Sequence, residues 1–174
     1  MEDRDAIQRC RHGEIDAFRH LVHRYQRRAL AHARALTGSD ADAADMVQSA
    51  FLDAFRELER FDQTREFYPW FYVLLRNRCF KQWRRTADRG ANVTLDEITT
   101  RDVAPVEELY DLRTALHRLE PKDREVLVLK HLDGWTYDEL AERLEIPRGT
   151  VMSRLFHARR RLKELLCQLP GEKA

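Results

Sequence analysis

The sequence contains no apolar run that reaches the roughly 18 residues a membrane-spanning helix needs. Its first residues, Met1-Glu2-Asp3-Arg4, are charged and no apolar segment follows them, which is unlike a signal peptide. The three cysteines, Cys10, Cys79 and Cys167, are odd in number and form no CxxC pair. We therefore expect a cytoplasmic protein with reduced thiols and no direct insertion into a membrane.

Glycine and proline are also scarce, with six and five in 174 residues, which disfavours a turn-rich β architecture. Charged residues make up 35% of the chain and hydrophobic residues 43%. This pairing suits thin helical bundles with wide solvated faces, and the length allows one ordinary domain or two small ones. The net charge is only +1, but basic residues crowd positions 81–85 and 159–163. The distribution of charge is therefore more informative than its sum.

Motifs of known catalytic or metal sites are missing, since the chain has no P-loop, GxSxG or HExxH. His20 and His23 share a helix face, but no cluster has the ligand count and spacing of a zinc site. Asp42 and Asp45 stand at a predicted helix start, where carboxylates act as caps rather than as paired catalytic acids. We expect no enzyme, metal, cofactor or small-molecule substrate, and a helical enzyme or metal sensor is the weakest alternative.

Hydrophobic periodicity predicts helices along most of the chain, and hence an all-α fold. Periodicity fails between residues 86 and 105, where Gly90 and Pro105 appear and threonines and acids accumulate. We predict two small helical domains, residues 1–85 and 106–174, joined by a flexible linker over residues 86–105. The predicted helices span about Asp3–Arg11, Ile15–Leu36, Asp42–Arg60, Pro69–Arg85, Val106–Leu119, Lys122–Leu132, Thr136–Leu144 and Arg148–Leu166.

The last two predicted helices have the proportions of a helix-turn-helix, with a short helix from Thr136 and a longer one from Arg148. At 100° per residue the longer helix buries Val151, Leu155 and Ala158, while its opposite face carries hydroxyl, aromatic and basic side chains. Such a face fits the major groove, where polar groups meet base edges and a ring packs on thymine methyls. A solvated basic helix end is the disfavoured alternative. The predicted DNA-contacting residues are Arg148, Met152, Ser153, Phe156, His157 and Arg160.

A second mixture of aromatic and basic residues lies on the helix predicted from Pro69, outside its inner stripe of Phe71, Leu75 and Cys79. Aromatics interleaved with cations suit single-stranded nucleic acid, because bases stack on the rings while phosphates meet the cations. Burial of these rings by a neighbouring domain explains the pattern equally well, and the residues alone leave both interpretations open. The outer residues are Val73, Arg76, Asn77, Phe80, Lys81, Trp83 and Arg84.

Four motifs together resemble one family. The first half carries Asp45-Met-Val-Gln-Ser-Ala-Phe51 and Phe67-Tyr-Pro-Trp-Phe-Tyr72, and the second carries Gly134-Trp-Thr-Tyr-Asp-Glu-Leu-Ala141 and Ile146-Pro-Arg-Gly-Thr-Val-Met-Ser-Arg-Leu155. The first pair resembles the promoter-melting domain of extracytoplasmic-function (ECF) sigma factors. The second pair resembles the domain of that family that reads the upstream promoter element. The similarity covers about residues 5–168, in the order of the family.

The resemblance implies a sigma factor that binds core RNA polymerase and promoter DNA. It implies that the helix with Asp45 and Gln48 docks on the β′ clamp helices and that the C-terminal domain binds the β flap. It further implies capture of a flipped base of the −10 element, reading of the −35 element by the last helix, and control by an anti-sigma factor. The implied −10 residues are Phe61, Phe67, Tyr68, Arg76, Asn77, Phe80, Lys81 and Arg84. The implied polymerase-binding residues are Asp45, Gln48, Leu52 and Arg56.

Three positions depart from the pattern of the family, and at one of them Phe71 replaces the usual Leu. Met152 stands where members very often have Arg or Lys, so their −35 specificity does not carry over. Pro69 replaces the usual Thr, which puts the geometry of the base-capturing loop in question. The main alternative is a self-sufficient DNA-binding regulator whose N-terminal bundle senses or dimerises. Such a regulator has no need of Gln48 in its motif or of a basic aromatic face.

Overall fold

The structure, a computed structural model, describes residues 2–88 and 106–168. Every regular element in these ranges is a helix, which confirms the predicted all-α class. The chain divides into two compact units, Met1–Val93 and Thr94–Ala174, in agreement with the predicted two-domain organisation.

The bounds of the eight described α-helices follow the prediction closely. They are α1 (Asp3–Arg11), α2 (Phe18–Thr37), α3 (Asp40–Glu57), α4 (Phe67–Asp88), α5 (Val106–His117), α6 (Pro121–Leu132), α7 (Tyr137–Leu144) and α8 (Arg148–Leu166). Short 3-10 helices at Ile15–Ala17 and Leu58–Arg60 join α1 to α2 and extend α3. Of the predicted linker, residues 86–88 continue α4, and residues 89–105 lie outside the described ranges.

The turn between α2 and α3 shows why α3 begins two residues earlier than predicted. Gly38 ends α2 with a φ of 83°, a left-handed conformation that glycine adopts without steric cost. Ser39 then adopts an extended conformation, and its hydroxyl accepts a hydrogen bond of 3.1 Å from the backbone N–H of Asp42. This N-cap satisfies one of the amide groups that the first helical turn leaves without a partner. The helix therefore starts at Asp40.

Helix α4 begins at Phe67 and not at Pro69. Proline is tolerated here because it occupies the first helical turn, where its missing N–H has no carbonyl partner to lose. Phe67 and Tyr68 are therefore part of the helix. Both lie in the core, where they are only 2% and 3% exposed.

The core of the N-terminal unit is largely aromatic. Phe51 of α3 stacks on Phe71 of α4 with their ring centroids 4.3 Å apart. Tyr25 of α2 packs on the rings of Phe67 and Tyr68, at centroid distances of 5.6 and 5.1 Å. Aromatic pairs at such distances contribute about 0.5–1.5 kcal/mol each beyond the burial of their area. These contacts hold α2, α3 and α4 together.

The C-terminal unit contains the predicted capping box and helix-turn-helix. The hydroxyl of Thr136 accepts the N–H of Glu139 at 3.2 Å, and the carboxylate of Glu139 accepts the N–H of Thr136 at 2.7 Å. The same carboxylate also accepts the hydroxyl of Thr136 at 2.8 Å, and the bonds from the backbone N–H and the hydroxyl of Thr136 lower the pKa of Glu139 because they favour its ionised form. Glu145 ends α7 in the left-handed region with a φ of 53°, and α8 begins at Arg148 as predicted.

A buried arginine fixes the corner between α5 and α6. The guanidinium of Arg124, 2% exposed, donates to the backbone carbonyls of His117 at 2.9 Å and Leu119 at 3.1 Å. Burial lowers the pKa of Arg124 to about 10, so the group is still charged at neutral pH. The charge strengthens both hydrogen bonds, since bonds from ionised donors exceed neutral ones in strength.

Replacing this arginine tests its role. We expect Arg124→Met to lower the free energy of unfolding of the C-terminal unit by about 2–4 kcal/mol, because two carbonyls lose a buried donor. Urea unfolding of the full chain, followed by circular dichroism, measures the effect. Arg118→Met removes an exposed arginine from the same corner and serves as the control. Equal stability of the two variants would contradict the assignment.

Candidate nucleic-acid and polymerase interfaces

The outward face of α8 exposes two large apolar side chains to solvent. Phe156 is 63% exposed and Met152 52%, whereas Val151 and Leu155 are buried at 0% and 1%. Each exposed residue follows a buried one by 100° around the helix, so burial of the first turns the second outward. The two exposed side chains are four residues apart and therefore adjacent. An apolar pair of this kind on an exposed helix face indicates a contact surface.

A shallow groove of about 340 Å³ runs beside this apolar pair, and Tyr137 of α7 forms part of its wall. Met152 lines the groove while staying half exposed, so it is not buried in the interface between α7 and α8. Arg159, Arg160 and Lys163 also line the groove and give it a basic character. An apolar patch bordered by cations matches the thymine methyls and phosphates of a DNA major groove.

All six predicted −35 residues are exposed. The hydroxyl of Ser153 donates to the carbonyl of Thr150 at 3.1 Å, which leaves its oxygen able to accept another bond. Arg148 and Arg160 form ion pairs with Asp138 and Glu164, each at 3.4 Å. Exposed pairs of this kind contribute about 0–1 kcal/mol, so a phosphate can displace either carboxylate at little cost.

The predicted aromatic and basic face of α4 is at the surface, with Asn77, Lys81 and Arg84 exposed. Phe80 is partly covered by Arg76, whose guanidinium carbon lies 4.8 Å from the ring centroid. The pair combines a ring with a cation, as surfaces that bind single-stranded nucleic acid do.

An apolar groove of about 690 Å³ lies between α2 and α3. Leu52 and Gln48, two of the predicted polymerase-binding residues, form part of its wall. Leu52 is 52% exposed, and Ile15 at the start of the same groove is 66% exposed. The remaining two predicted residues, Asp45 and Arg56, are exposed on α3 at helical positions close to those of Gln48 and Leu52. An apolar centre with a polar rim is the usual anatomy of a protein–protein interface.

No group of three or more His, Cys, Asp and Glu side chains that could hold a metal ion occurs among the described residues. Within the same residues, no helix is both long enough and apolar enough to cross a membrane.

Comparison with known proteins identifies both units. Residues 21–89 match the family model of sigma-70 region 2, and residues 109–162 match that of sigma-70 region 4. The ECF RNA polymerase sigma-E factor of Escherichia coli strain K12 is 31% identical over an alignment 175 positions long, which covers 91% of each chain. The corresponding factor of Haemophilus influenzae is 29% identical over an alignment 184 positions long, which covers 91% of this chain and 92% of the relative. The chain belongs to the ECF sigma factors.

Solved structures agree. The sigma factor RpoE of Bartonella quintana, solved in complex with the anti-sigma factor NepR, superposes with a TM-score of 0.75 at 26% identity. That match covers 87% of this chain and 97% of the other. CnrH, solved in complex with the cytosolic domain of CnrY, superposes with a TM-score of 0.72 at 28% identity and covers 95% and 97%. The resemblance stated from the motifs is therefore confirmed, and the protein is a transcription initiation factor that acts with RNA polymerase on promoter DNA.

Three residues predicted to contact the −10 element lie in the core of this sigma factor. Phe61, Phe67 and Tyr68 are 4%, 2% and 3% exposed, and the ring of Phe61 packs on Trp70 at a centroid distance of 4.7 Å. Rings buried in this way offer no face on which a base can stack. In this structure, the apolar area of the three rings is buried in the core, and the rings flank both ends of the loop at residues 62–66.

Two features of the site were not indicated by the sequence pattern. The guanidinium of Arg28 lies 4.0 Å from the ring centroid of Tyr68, so a cation of α2 covers the start of α4. Asp53 of α3 accepts two hydrogen bonds of 2.7 Å from the guanidinium of Arg78 of α4. A bidentate pair fixes orientation as well as distance, so it sets the exposed face of α4 relative to α3. In both pairs the two partners are far apart in sequence, and only the packing of the helices brings them together.

Proposed function

We propose that this sigma factor reads the −35 element with α8 and holds the melted −10 strand on α4, while α3 docks on the β′ clamp helices of core polymerase. The observation that carries the proposal is the exposed pair of Met152 and Phe156 on a helix otherwise bordered by cations. Solvent exposure of a phenylalanine is unfavourable unless a partner covers it, and a major groove supplies thymine methyls at that position.

The groove between α2 and α3 supports the polymerase assignment. Leu52 and Ile15 are apolar and more than half exposed, while Gln48 contributes an amide to the same wall. A helix of core polymerase that occupied this groove would bury the two apolar side chains and leave polar contacts at the rim. We assign docking on the clamp helices to Asp45, Gln48, Leu52 and Arg56, and binding of the β flap to the C-terminal unit.

The surface of α4 supports the −10 assignment. Lys81 and Arg84 are exposed cations on the same helix as the stacked pair of Arg76 and Phe80. Phosphates of a melted strand would meet the cations while a base lies on the exposed part of the ring. Asn77, also exposed, adds an amide that can donate to and accept from a base edge.

Division of the two DNA surfaces between separate units has a consequence for affinity. Each unit offers a small contact area, and we propose that the two units act as domains joined by the segment between α4 and α5. Binding of both domains by polymerase then raises the effective concentration of the second DNA contact once the first has formed. The isolated protein should accordingly bind promoter DNA weakly, whereas a self-sufficient regulator would bind it tightly.

The protein has no catalytic role in this proposal and acts in the cytoplasm, where polymerase and chromosomal DNA are present. An anti-sigma factor completes the set of proposed partners. The sigma factor RpoE of Bartonella quintana is held by one in its solved complex. A regulator of this kind would compete for the same exposed apolar surfaces, since their burial is what stabilises either complex.

Core-dependent transcription tests the polymerase assignment. The wild-type protein is expected to direct specific initiation only when it is mixed with core polymerase. Gln48→Ala combined with Arg56→Ala should weaken core binding by roughly tenfold, which corresponds to about 1.4 kcal/mol of lost contacts. Both side chains are exposed, so the unfolding free energy should change by less than about 0.5 kcal/mol.

Competition between wild-type and variant protein for core polymerase gives the affinity, and thermal melting gives the stability. Glu57→Ala, exposed on α3 outside this face, is the matched control and should compete normally. A double variant that unfolds, or that competes as well as the wild type, removes these residues from the polymerase interface. Tight specific binding of duplex DNA without core would favour the regulator instead.

Strand opening tests the assignment of α4. Lys81→Ala combined with Arg84→Ala should impair promoter opening more than closed-complex formation, because the two cations meet phosphates only after the strands separate. The slope of affinity against salt should fall by about 1.4, since each phosphate contact to single-stranded DNA accounts for roughly 0.7. Permanganate reactivity of the melted bases measures opening.

The matched control is Arg118→Ala combined with Lys122→Ala, which removes two exposed cations from the C-terminal unit. Equal permanganate reactivity of the α4 double variant, the control and the wild type would exclude the proposed phosphate contacts.

Base specificity tests the assignment of α8. Methionine has no hydrogen-bond donor, so Met152 cannot make the bidentate contact that arginine makes to guanine. We expect Met152→Arg to create a guanine preference at one −35 position, worth on the order of 1–3 kcal/mol. Because Met152 is half exposed, the melting temperature should stay close to that of the wild type. Transcription from a library with a randomised −35 element measures the preference.

Met152→Leu keeps the side chain apolar and should leave the base profile unchanged. An Arg variant with an unchanged profile and an unchanged melting temperature would remove position 152 from the DNA interface.

A further inference from the structure

The end of α4 that carries the proposed phosphate-binding cations has little apolar anchoring. Among the side chains of α4 that the structure describes, which end at Arg85, Cys79 is the last buried one, at 2% exposed. Lys81 and Arg84 follow it and are both exposed. Burial of apolar area therefore fixes α4 as far as Cys79, and the turns after it depend more on polar contacts.

Two aspartates of α3 make polar contacts with this end of α4. The carboxylate of Asp53 accepts two hydrogen bonds of 2.7 Å from the guanidinium of Arg78. The carboxylate of Asp42 accepts an N–H of the Gln82 amide at 3.3 Å. Arg78 comes three residues before Lys81 and Gln82 one residue after it, so both contacts lie within about one helical turn of that cation.

The contact of Asp53 with Arg78 is the stronger of the two. Its side chains are only 20% and 38% exposed, so salt screens the pair less than it screens pairs at the open surface. Two parallel bonds from a planar guanidinium fix the orientation of the partners as well as their distance. Arg56 also approaches Asp53, but its nitrogen is 3.9 Å away and its side chain is 73% exposed. Asp53 is therefore committed mainly to α4.

Arg78 could act on DNA in a second way, as one more cation for the phosphates. In that case Asp53 would compete with the melted strand for the guanidinium, and loss of the carboxylate would favour promoter opening. If Asp53 instead holds α4 in place, loss of the carboxylate would impair opening. The two roles of this pair thus predict changes of opposite sign.

We propose that Asp53 and Asp42 are positioning residues for promoter opening, which hold the end of α4 so that Lys81 and Arg84 meet the phosphates of the melted strand. The inference rests on the proposed function, since it requires that strand to lie on α4. Both aspartates act through α4 and need not touch DNA. The N-cap of α3 is Ser39, which leaves the carboxylate of Asp42 available for this contact.

The test uses the full-length protein assembled with saturating core polymerase on a promoter that the wild type transcribes. Asp53→Asn keeps the shape of the side chain and removes its charge. Permanganate reactivity of the melted bases should fall by roughly fivefold, the lower end of the range for energetic coupling between two sites. Asp42→Ala should cause a smaller decrease, because it removes a single and longer hydrogen bond. Opening at the wild-type level in Asp42→Ala would remove this residue from the proposal.

Two further variants separate geometry from charge. Arg78→Lys keeps the positive charge but cannot form the two parallel bonds, so it should impair opening as Asp53→Asn does. Asp53→Arg combined with Arg78→Asp restores an ion pair of reversed polarity and should recover part of the lost opening. A phosphate-binding role of Arg78 predicts the reverse, with normal opening in Arg78→Lys and no recovery in the exchanged pair.

Non-additivity distinguishes positioning from a general effect on structure. Asp53→Asn added to the double variant Lys81→Ala and Arg84→Ala should cause little further loss, because the cations that it positions are already absent. Fully additive losses would contradict action through these cations. Glu57→Gln is the matched control, since it removes one negative charge from an exposed position of α3, and it should open the promoter normally.

Competition for core polymerase and melting temperatures show which variants bind core and are folded. Normal or increased opening by a folded Asp53→Asn variant would overturn the positioning role and leave the −10 role of α4 intact. If that variant melts early, Arg78→Lys decides by the same comparison, because it retains the attraction to Asp53. Normal opening by the double variant of Lys81 and Arg84 would overturn the −10 role itself.

Discussion

The stack of Phe51 on Phe71 is the contact on which the N-terminal unit depends. It holds α3 against α4 with the ring centroids 4.3 Å apart, and the bidentate pair of Asp53 and Arg78 fixes the orientation of the same two helices. The side of α3 that we propose to face polymerase and the side of α4 that we propose to face DNA are therefore held in a fixed orientation. If α3 docks on polymerase as proposed, its packing on α4 also positions the proposed strand-binding face.

In the C-terminal unit, the packing of α8 and one buried arginine fix the orientation of the exposed helix face. Burial of Val151 and Leu155 determines the rotation of α8 about its axis, and this rotation forces Met152 and Phe156 into solvent. The buried guanidinium of Arg124 holds the preceding corner through main-chain carbonyls. The exposure of these two apolar side chains thus follows from packing on the other side of α8. Burial against an apolar partner would remove their unfavourable free energy of hydration.

Local signals in the sequence predicted the eight α-helices that the structure describes. Periodicity located all eight, and the capping box at Thr136 and Glu139 predicted the start of α7 from two residues. Exposure could be predicted where one helix alone decides it, as for the six proposed −35 residues of α8. Burial could not be predicted at Phe61, Phe67 and Tyr68, because aromatic residues next to a loop are compatible with either a stacking surface or a core.

By itself, the sequence determined the helical class, the two units and the family, because periodicity, caps and motif order are properties of neighbouring residues. Only the tertiary structure decided which aromatic rings are buried, since this depends on partners such as Tyr25, distant in sequence from the rings it covers. The contact between Asp42 and Gln82 is equally a product of the fold. The two residues are 40 positions apart, and no local pattern relates them until α3 packs on α4.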